Sequence, residues 1–172
     1  VHAQAGHHIG VELHLEAAPS AGHQHIWHHD VALHLDKAPA GLGLDRDALV
    51  RAGFEAKAGS SLLAPTSSGP EIIAVGAGAL AEFTAVTLRD AAAALVRAAT
   101  TRSRFAFVVA SVGSLDGGAA AQAITEGAVL ARYKYTATKP TNKHVPLQSL
   151  TIELPDADGA DAGITAGLLA AR

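Results

Sequence analysis

The stretch "AITEGAVLARYKYTATKP", residues 123–140, carries the helical spacing of Ala, Ile, Val and Leu, yet Glu126-Gly127 sits in its middle. Glycine inside a helix costs about 1 kcal/mol relative to alanine, so some other interaction must offset it. On a helical projection Ala120, Ile124, Gly127 and Ala131 fall on one stripe, which puts the glycine at the centre of the buried face. A missing side chain there lets the helix axis come closer than usual to a sheet or to another backbone. Gly127 is therefore read as a packing residue. Glu126 poses a separate question. Its same-face neighbours Gln122, Ala123, Val129 and Leu130 include no cation, so a charged partner must come from another element, with Arg89 and Arg104 as candidates; a solvated carboxylate on the helix flank is the alternative.

Working outward, buried strands and helices alternate on both sides of this helix. "EIIAVGAG" (71–78) is a continuous apolar run ending in glycine, as in a strand covered on both faces. "EFTAVTLRDAAAALVRAA" (82–99) follows as a helix with Leu88, Ala91, Ala92, Leu95 and Ala99 on its inner stripe. "RFAFVVAS" (104–111) is a second buried strand, after which Asp116 offers an N-cap to the helix of the opening stretch, expected to run to about Tyr135. "LQSLTIELP" is a further strand and "DADGADAGITAGLLAAR" begins the last helix. Upstream, "VELHLE" and "DVALHLD" alternate like half-buried strands, and "DRDALVRAGFEAK" is expected to be helical with Leu49, Ala52 and Phe54 to one side. Such alternation predicts an α/β fold with a largely parallel or mixed central sheet and helices on its faces.

Composition sets the outer bounds. With 172 residues, 49% hydrophobic and 17% charged, the chain suits one globular domain. No apolar run approaches the ~20 residues of a membrane-spanning helix, and the start lacks the order of a secretory signal. A soluble, cytoplasmic protein is the expectation. The absence of cysteine removes disulfides and thiolate metal sites, and the absence of methionine, even at position 1, points to a processed or trimmed start. The last helix meets Arg172 without a terminating Gly, Asn or Pro, so more polypeptide is expected after it. Net charge of −3 argues against a nucleic-acid or membrane-surface binder. Charge is nevertheless segregated: residues 1–96 sum to −5, residues 97–143 to +5 and the remainder to −3. The basic stretch, Arg97 to Lys143, is read as a face for a partner subunit or domain.

Three chemistries were weighed from the residues. "VGAGALA" meets the relaxed Gly-x-Gly-x-x-Ala form of a dinucleotide loop, but the next strand ends in Ser111 rather than an acid, so Gly76 and Gly78 are read as a tight turn. In "GHQHIWHHD" an extended chain puts His23, His25 and His29 on one face, a set able to hold zinc, nickel or copper, although its spacing matches no familiar metal pattern. Asp156, Asp158 and Asp161 read as a strand-to-helix loop with an N-cap. No Gly-x-Ser-x-Gly elbow occurs, and a triad assembled from Ser111 or Ser114, Asp116 and His144 has no motif behind it.

Several motifs in order resemble the N-terminal domain of the leucyl (cytosol) aminopeptidase family. "AGFEAKAGSSLLAP" is similar to its Phe-x-x-Lys-x-Gly segment; "IIAVGAGA" with "TLRDAAAALVRA" resembles its strand, Gly-x-Gly turn and Leu-Arg helix. "ITEGAVLARYKYTATKP" resembles its Glu-Gly helix, which leads through a tyrosine and an aromatic to a lysine, here Tyr133, Tyr135 and Lys139. "TIELPDADGADAGITAGLLAAR" looks like the strand and helix ahead of the family's catalytic domain. The resemblance spans Asp45 to Arg172, with residues 1–40 a His-rich lead of one or two strands in the same domain and 41–172 the accessory domain proper. It implies a three-layer, macrodomain-like fold and a scaffold or hexamer-forming role. Family enzymes release N-terminal residues from peptides with two divalent metals, typically zinc, manganese or magnesium, held by a C-terminal catalytic domain. The Asn-Thr-Asp-Ala-Glu-Gly-Arg segment of that domain is absent here, so no catalytic, cofactor or metal residue is assigned. Gly76, Gly78, Arg89, Glu126, Gly127, Tyr133 and Lys139 are assigned to structural and interface roles. The rival expectation is a free-standing domain that binds a small molecule or metal through the His cluster or the Gly76–Gly78 turn.

Overall fold

A computed structural model describes residues 9–14, 29–33, 46–64, 72–79, 82–109, 111–133 and 145–171. The elements follow in the order β1 (Ile9–His14), β2 (His29–Leu33), α1 (Arg46–Arg51), β3 (Ser61–Ala64), β4 (Ile72–Gly76), α2 (Ala85–Ala98), β5 (Arg104–Val109), α3 (Gly117–Ala131), β6 (Ser149–Leu154) and α4 (Ala160–Ala170). Six strands form one sheet in the order β1-β6-β5-β2-β4-β3. The four inner strands are parallel, and β1 and β3 close the two edges in antiparallel pairs. The α/β alternation legible in the sequence is thus the observed architecture, with a mixed sheet.

Burial follows the two-residue period of the strands. Ile73 and Val75 of β4, Phe105, Phe107 and Val109 of β5, and Leu150, Ile152 and Leu154 of β6 enter the main core with α2, α3 and α4. Ala74 points the other way and meets Leu49, Phe54 and Ala56. The alanine run of α2 keeps its inner face thin, and burial extends over all of Ala91 to Val96. Thr84 and Thr87 exchange side-chain and backbone hydrogen bonds in a capping box that starts this helix. Asp116 caps α3, its Oδ1 accepting from Ala119 N at 2.7 Å.

Three local expectations need correction, and one strand had no expectation behind it. α1 stops at Arg51, and Phe54 is buried beyond the helix while Ala52 is exposed, because the chain turns through Gly53 at φ 81°. "SSLLAP" supplies edge strand β3, a segment whose apolar part is too short to show a period. α3 ends at Ala131, short of Tyr135, with Arg132 as its C-cap. The N-cap of α4 is Gly159 in the left-handed region, φ 72°, and makes no side-chain cap bond, so no aspartate fills that role.

Candidate functional site

The close approach at Gly127 is between two helices. A β-carbon at Gly127 would fall on the carbonyl oxygen of Arg89 and crowd the Ala92 methyl at 3.2 Å, so α2 and α3 touch backbone to backbone at this point. Of the two surfaces the glycine could have closed upon, a sheet or another backbone, it is the backbone of a neighbouring helix. Gly163 and Gly167 repeat the device on the other side of α3: side chains there would strike Gly118 O, and Gln122 O together with Thr125. Three helices are therefore drawn into one thin layer wherever a side chain is missing.

The same contact gives Glu126 its partner. Arg89 donates from Nε to Oε2 at 2.7 Å and from NH2 to the same oxygen at 2.6 Å. Gln122, one turn earlier on α3, donates from Nε2 to Oε1 at 2.8 Å. Both carboxylate oxygens are engaged, as a residue only 7% exposed requires. Arg104, the other candidate cation, lies exposed at the start of β5.

Gly76 and Gly78 belong to an interlock between the end of β4 and the segment 56–60. Gly76 N donates to Ser60 O, Gly78 N to Ala56 O, and Gly59 N to Gly76 O. A β-carbon at Gly76 would run into Lys57 O and lie 2.5 Å from Ser60 Oγ. Gly78 adopts φ 76°, and Ala56 holds φ 57°, uncommon for a residue with a side chain, while fully buried. With the two glycine amides spent inside the chain, this turn offers no anion cradle of the kind a dinucleotide loop presents. The start of α3 is covered in the same way, since Asp156 O and Asp158 O lie against Gly117.

Arg132 is the residue that sequence reasoning passed over. Its NH1 donates to Thr100 O at 2.9 Å and Val145 O at 3.0 Å, and its NH2 to Ala99 O at 2.6 Å and Arg102 O at 3.0 Å. The guanidinium lies over the Phe105 ring, 5.4 Å from its centroid. Desolvation lowers its pKa from the ordinary guanidinium value, and among the described residues nothing accepts from the buried Nε. α2 ends at Ala99 without a glycine, and Arg132 supplies the missing cap from a neighbouring helix end. Only its position one residue past the α3 stripe hinted at this.

Tyr133 is exposed, 67%, just beyond α3. Lys139, His144, His23 and His25 lie outside the described residues, and His29 opens β2. Among the described residues no three His, Cys, Asp or Glu side chains gather closely enough to hold a metal. Asp116 Oδ1 accepts from Ala119 N in capping α3 and Ser111 Oγ accepts from Gly113 N, so these two members of the suggested triad serve local turns, as does Asp156, whose Oδ1 accepts from Asp158 N at 3.0 Å. No described helix is long and apolar enough to cross a membrane.

The family described as "Cytosol aminopeptidase family, N-terminal domain" matches residues 31–142, beginning upstream of Asp45, where the resemblance read from the motifs starts. A probable cytosol aminopeptidase of Microcystis aeruginosa is 37% identical over 121 residues, 69% of this chain and 24% of the relative. One from Acidobacterium capsulatum is 34% identical over 128 residues, 70% of this chain and 25% of the relative. The chain thus spans about a quarter of the length of these curated relatives. Among solved structures, the bottromycin maturation enzyme BotP superposes with a TM-score of 0.66 at 26% identity, covering 84% of this chain and 30% of BotP. BotP in complex with Mn superposes with a TM-score of 0.64. With Gly127, Glu126 and the Gly76–Gly78 turn all inside the matched span, the chain belongs to the N-terminal domain family of the cytosol aminopeptidases.

Proposed function

We propose that this chain is the accessory, oligomer-forming domain of a leucyl-aminopeptidase-like exopeptidase that releases N-terminal amino acids from peptides in the cytoplasm. The catalytic domain, with its two divalent metals (zinc, manganese or magnesium), would be carried by the same polypeptide. The observation that carries this reading is the family match over residues 31–142 combined with relatives of which the matched part makes up only 24% and 25%. The described residues do not fit a dimetal centre, which needs clustered carboxylates to hold ions about 3.5–4 Å apart; no such group exists among them. What they supply is rigidity: a helix layer locked at Gly127, Gly163 and Gly167, an ion pair across it, and an interlocked turn beneath. Main-core strands on one side and the α1 cluster on the other support a three-layer, macrodomain-like arrangement. Scaffold and interface roles for Gly76, Gly78, Arg89, Glu126, Gly127, Tyr133 and Lys139 follow from the same reading.

The test is the reading frame downstream of Arg172. An Asn-Thr-Asp-Ala-Glu-Gly-Arg segment there, with metal-dependent release of leucine from leucyl peptides by the longer chain and none by residues 1–172, is expected. An immediate stop, or peptide cleavage by the 172-residue chain unaided, would overturn the proposal.

A further inference from the structure

Two stretches of the sequence, 91–115 and 127–149, contain no Asp or Glu and hold seven of the thirteen Lys and Arg residues. Among the described residues, Arg97, Arg102, Arg104 and Arg132 come to one end of the domain, where α2 and α3 finish and β5 begins. Arg132 reaches the carbonyls of Ala99, Thr100, Arg102 and Val145, and Gln148 N donates to Ser103 O. Arg97, Arg102 and Arg104 are exposed there. Cations at helix C-termini commonly offset the helix dipole. Here Arg132 already lies on the carbonyls at the end of α2, so Arg97 and Arg104 are not needed for that purpose. Among the described residues neither has an ion-pair partner. Leu130, 49% exposed, and Tyr133 add apolar surface in the last turn of α3.

The opposite end of α3, 15 residues and so about 22 Å away, has the opposite charge. Asp116, Asp156, Asp158 and Asp161 are exposed there, drawn together because Gly117 rests against the carbonyls of Asp156 and Asp158. We infer that the basic end of one copy, with Arg97, Arg104, Leu130 and Tyr133, docks on the acidic end of a second copy. This inference rests on the oligomer-forming role proposed above. Such a contact is head-to-tail, so it closes into a ring or extends as a filament. Opposed charge sets its register and speeds encounter, while the tyrosine and leucine provide the desolvated centre that a polar rim encloses.

Sedimentation of the 172-residue chain tests the contact, at about 10 mM salt, where charges act over about 30 Å, and at about 1 M, where the range is about 3 Å. Concentration-dependent association at low salt, dispersed at high salt, is expected. Arg97→Glu with Arg104→Glu, and separately Asp158→Lys with Asp161→Lys, should each give monomers, and mixing the two variants should restore association. All four residues are exposed, and circular dichroism confirms that each variant is folded. Association unchanged by salt and by both charge reversals would overturn this contact while leaving the oligomer reading intact. A chain monomeric under every condition would overturn both.

Discussion

Arg89 and Glu126 are joined across two neighbouring helices by two short contacts to one carboxylate oxygen, and the carbonyl of the same Arg89 occupies the space that a side chain at position 127 would need. One residue of α2 thus explains both members of the Glu126-Gly127 pair. The glycine admits the backbone, and the nearness of that backbone brings the guanidinium to the carboxylate.

Gly127→Ala is therefore expected to destabilise the domain, despite a helix-propensity gain of about 1 kcal/mol. Its methyl meets backbone, which has no rotamer with which to yield, and overpacking of this kind costs about 1–3 kcal/mol or more. Urea denaturation reads the difference. A midpoint equal to or above that of the parent chain would refute helix-to-helix contact at this position.

The ion pair is best measured by a double-mutant cycle with Arg89→Ala and Glu126→Gln. Glu126 is nearly buried but the Arg89 side chain is 38% exposed, so solvent screening places the coupling near the surface-pair range, about 1 kcal/mol, with charge-assisted hydrogen bonding raising it towards 2. Arg89→Ala alone should cost more than Glu126→Gln alone, because it leaves a carboxylate with only Gln122 as a donor. A coupling energy indistinguishable from zero would show that the two side chains do not act together.

Arg132→Lys should lose about 2–4 kcal/mol of unfolding free energy, since an ammonium cannot reach four carbonyls at once and hydrogen bonds to a charged group contribute about 1.5–3 kcal/mol each before compensation. Arg132→Gln should be at least as damaging. Hydrogen exchange should localise the loss to the end of α2 and the 99–103 turn. Uniform exchange rates there in parent and variant would contradict a capping role.

At the β4 turn, two glycines that face the same segment, 56–60, should behave differently. Gly76→Ala is expected to cost more than 2 kcal/mol, by the clash with Lys57 O and Ser60 Oγ. Gly78→Asn should cost about 1 kcal/mol, because a side chain at Gly78 meets nothing closer than 3.6 Å and asparagine tolerates its positive φ. Thermal melts of the two variants decide the order. A reversal would mean that the positive φ at position 78, not the lack of space at position 76, is the stronger constraint.

Much of this architecture was legible along the chain because short-range periodicity records which face of an element is buried. The runs at 72–76, 104–109 and 149–154 read as strands, the alanine-rich segments read as helices, and Asp116 announced the start of α3. β3 and the early end of α1 were not legible. Four residues are too few to display a period, and Phe54 keeps its burial by turning the backbone rather than by staying on a helical stripe.

The sequence by itself marked Gly127 as a packing position and showed that any cationic partner of Glu126 must lie beyond its own helix, because both follow from what lies three and four residues away. Only the tertiary structure decided that the backbone filling the gap is Arg89's, and that Arg132 closes the end of a helix 33 residues upstream. Such contacts depend on how elements stack after they form, and a guanidinium's choice among distant carbonyls leaves no periodic trace in the chain.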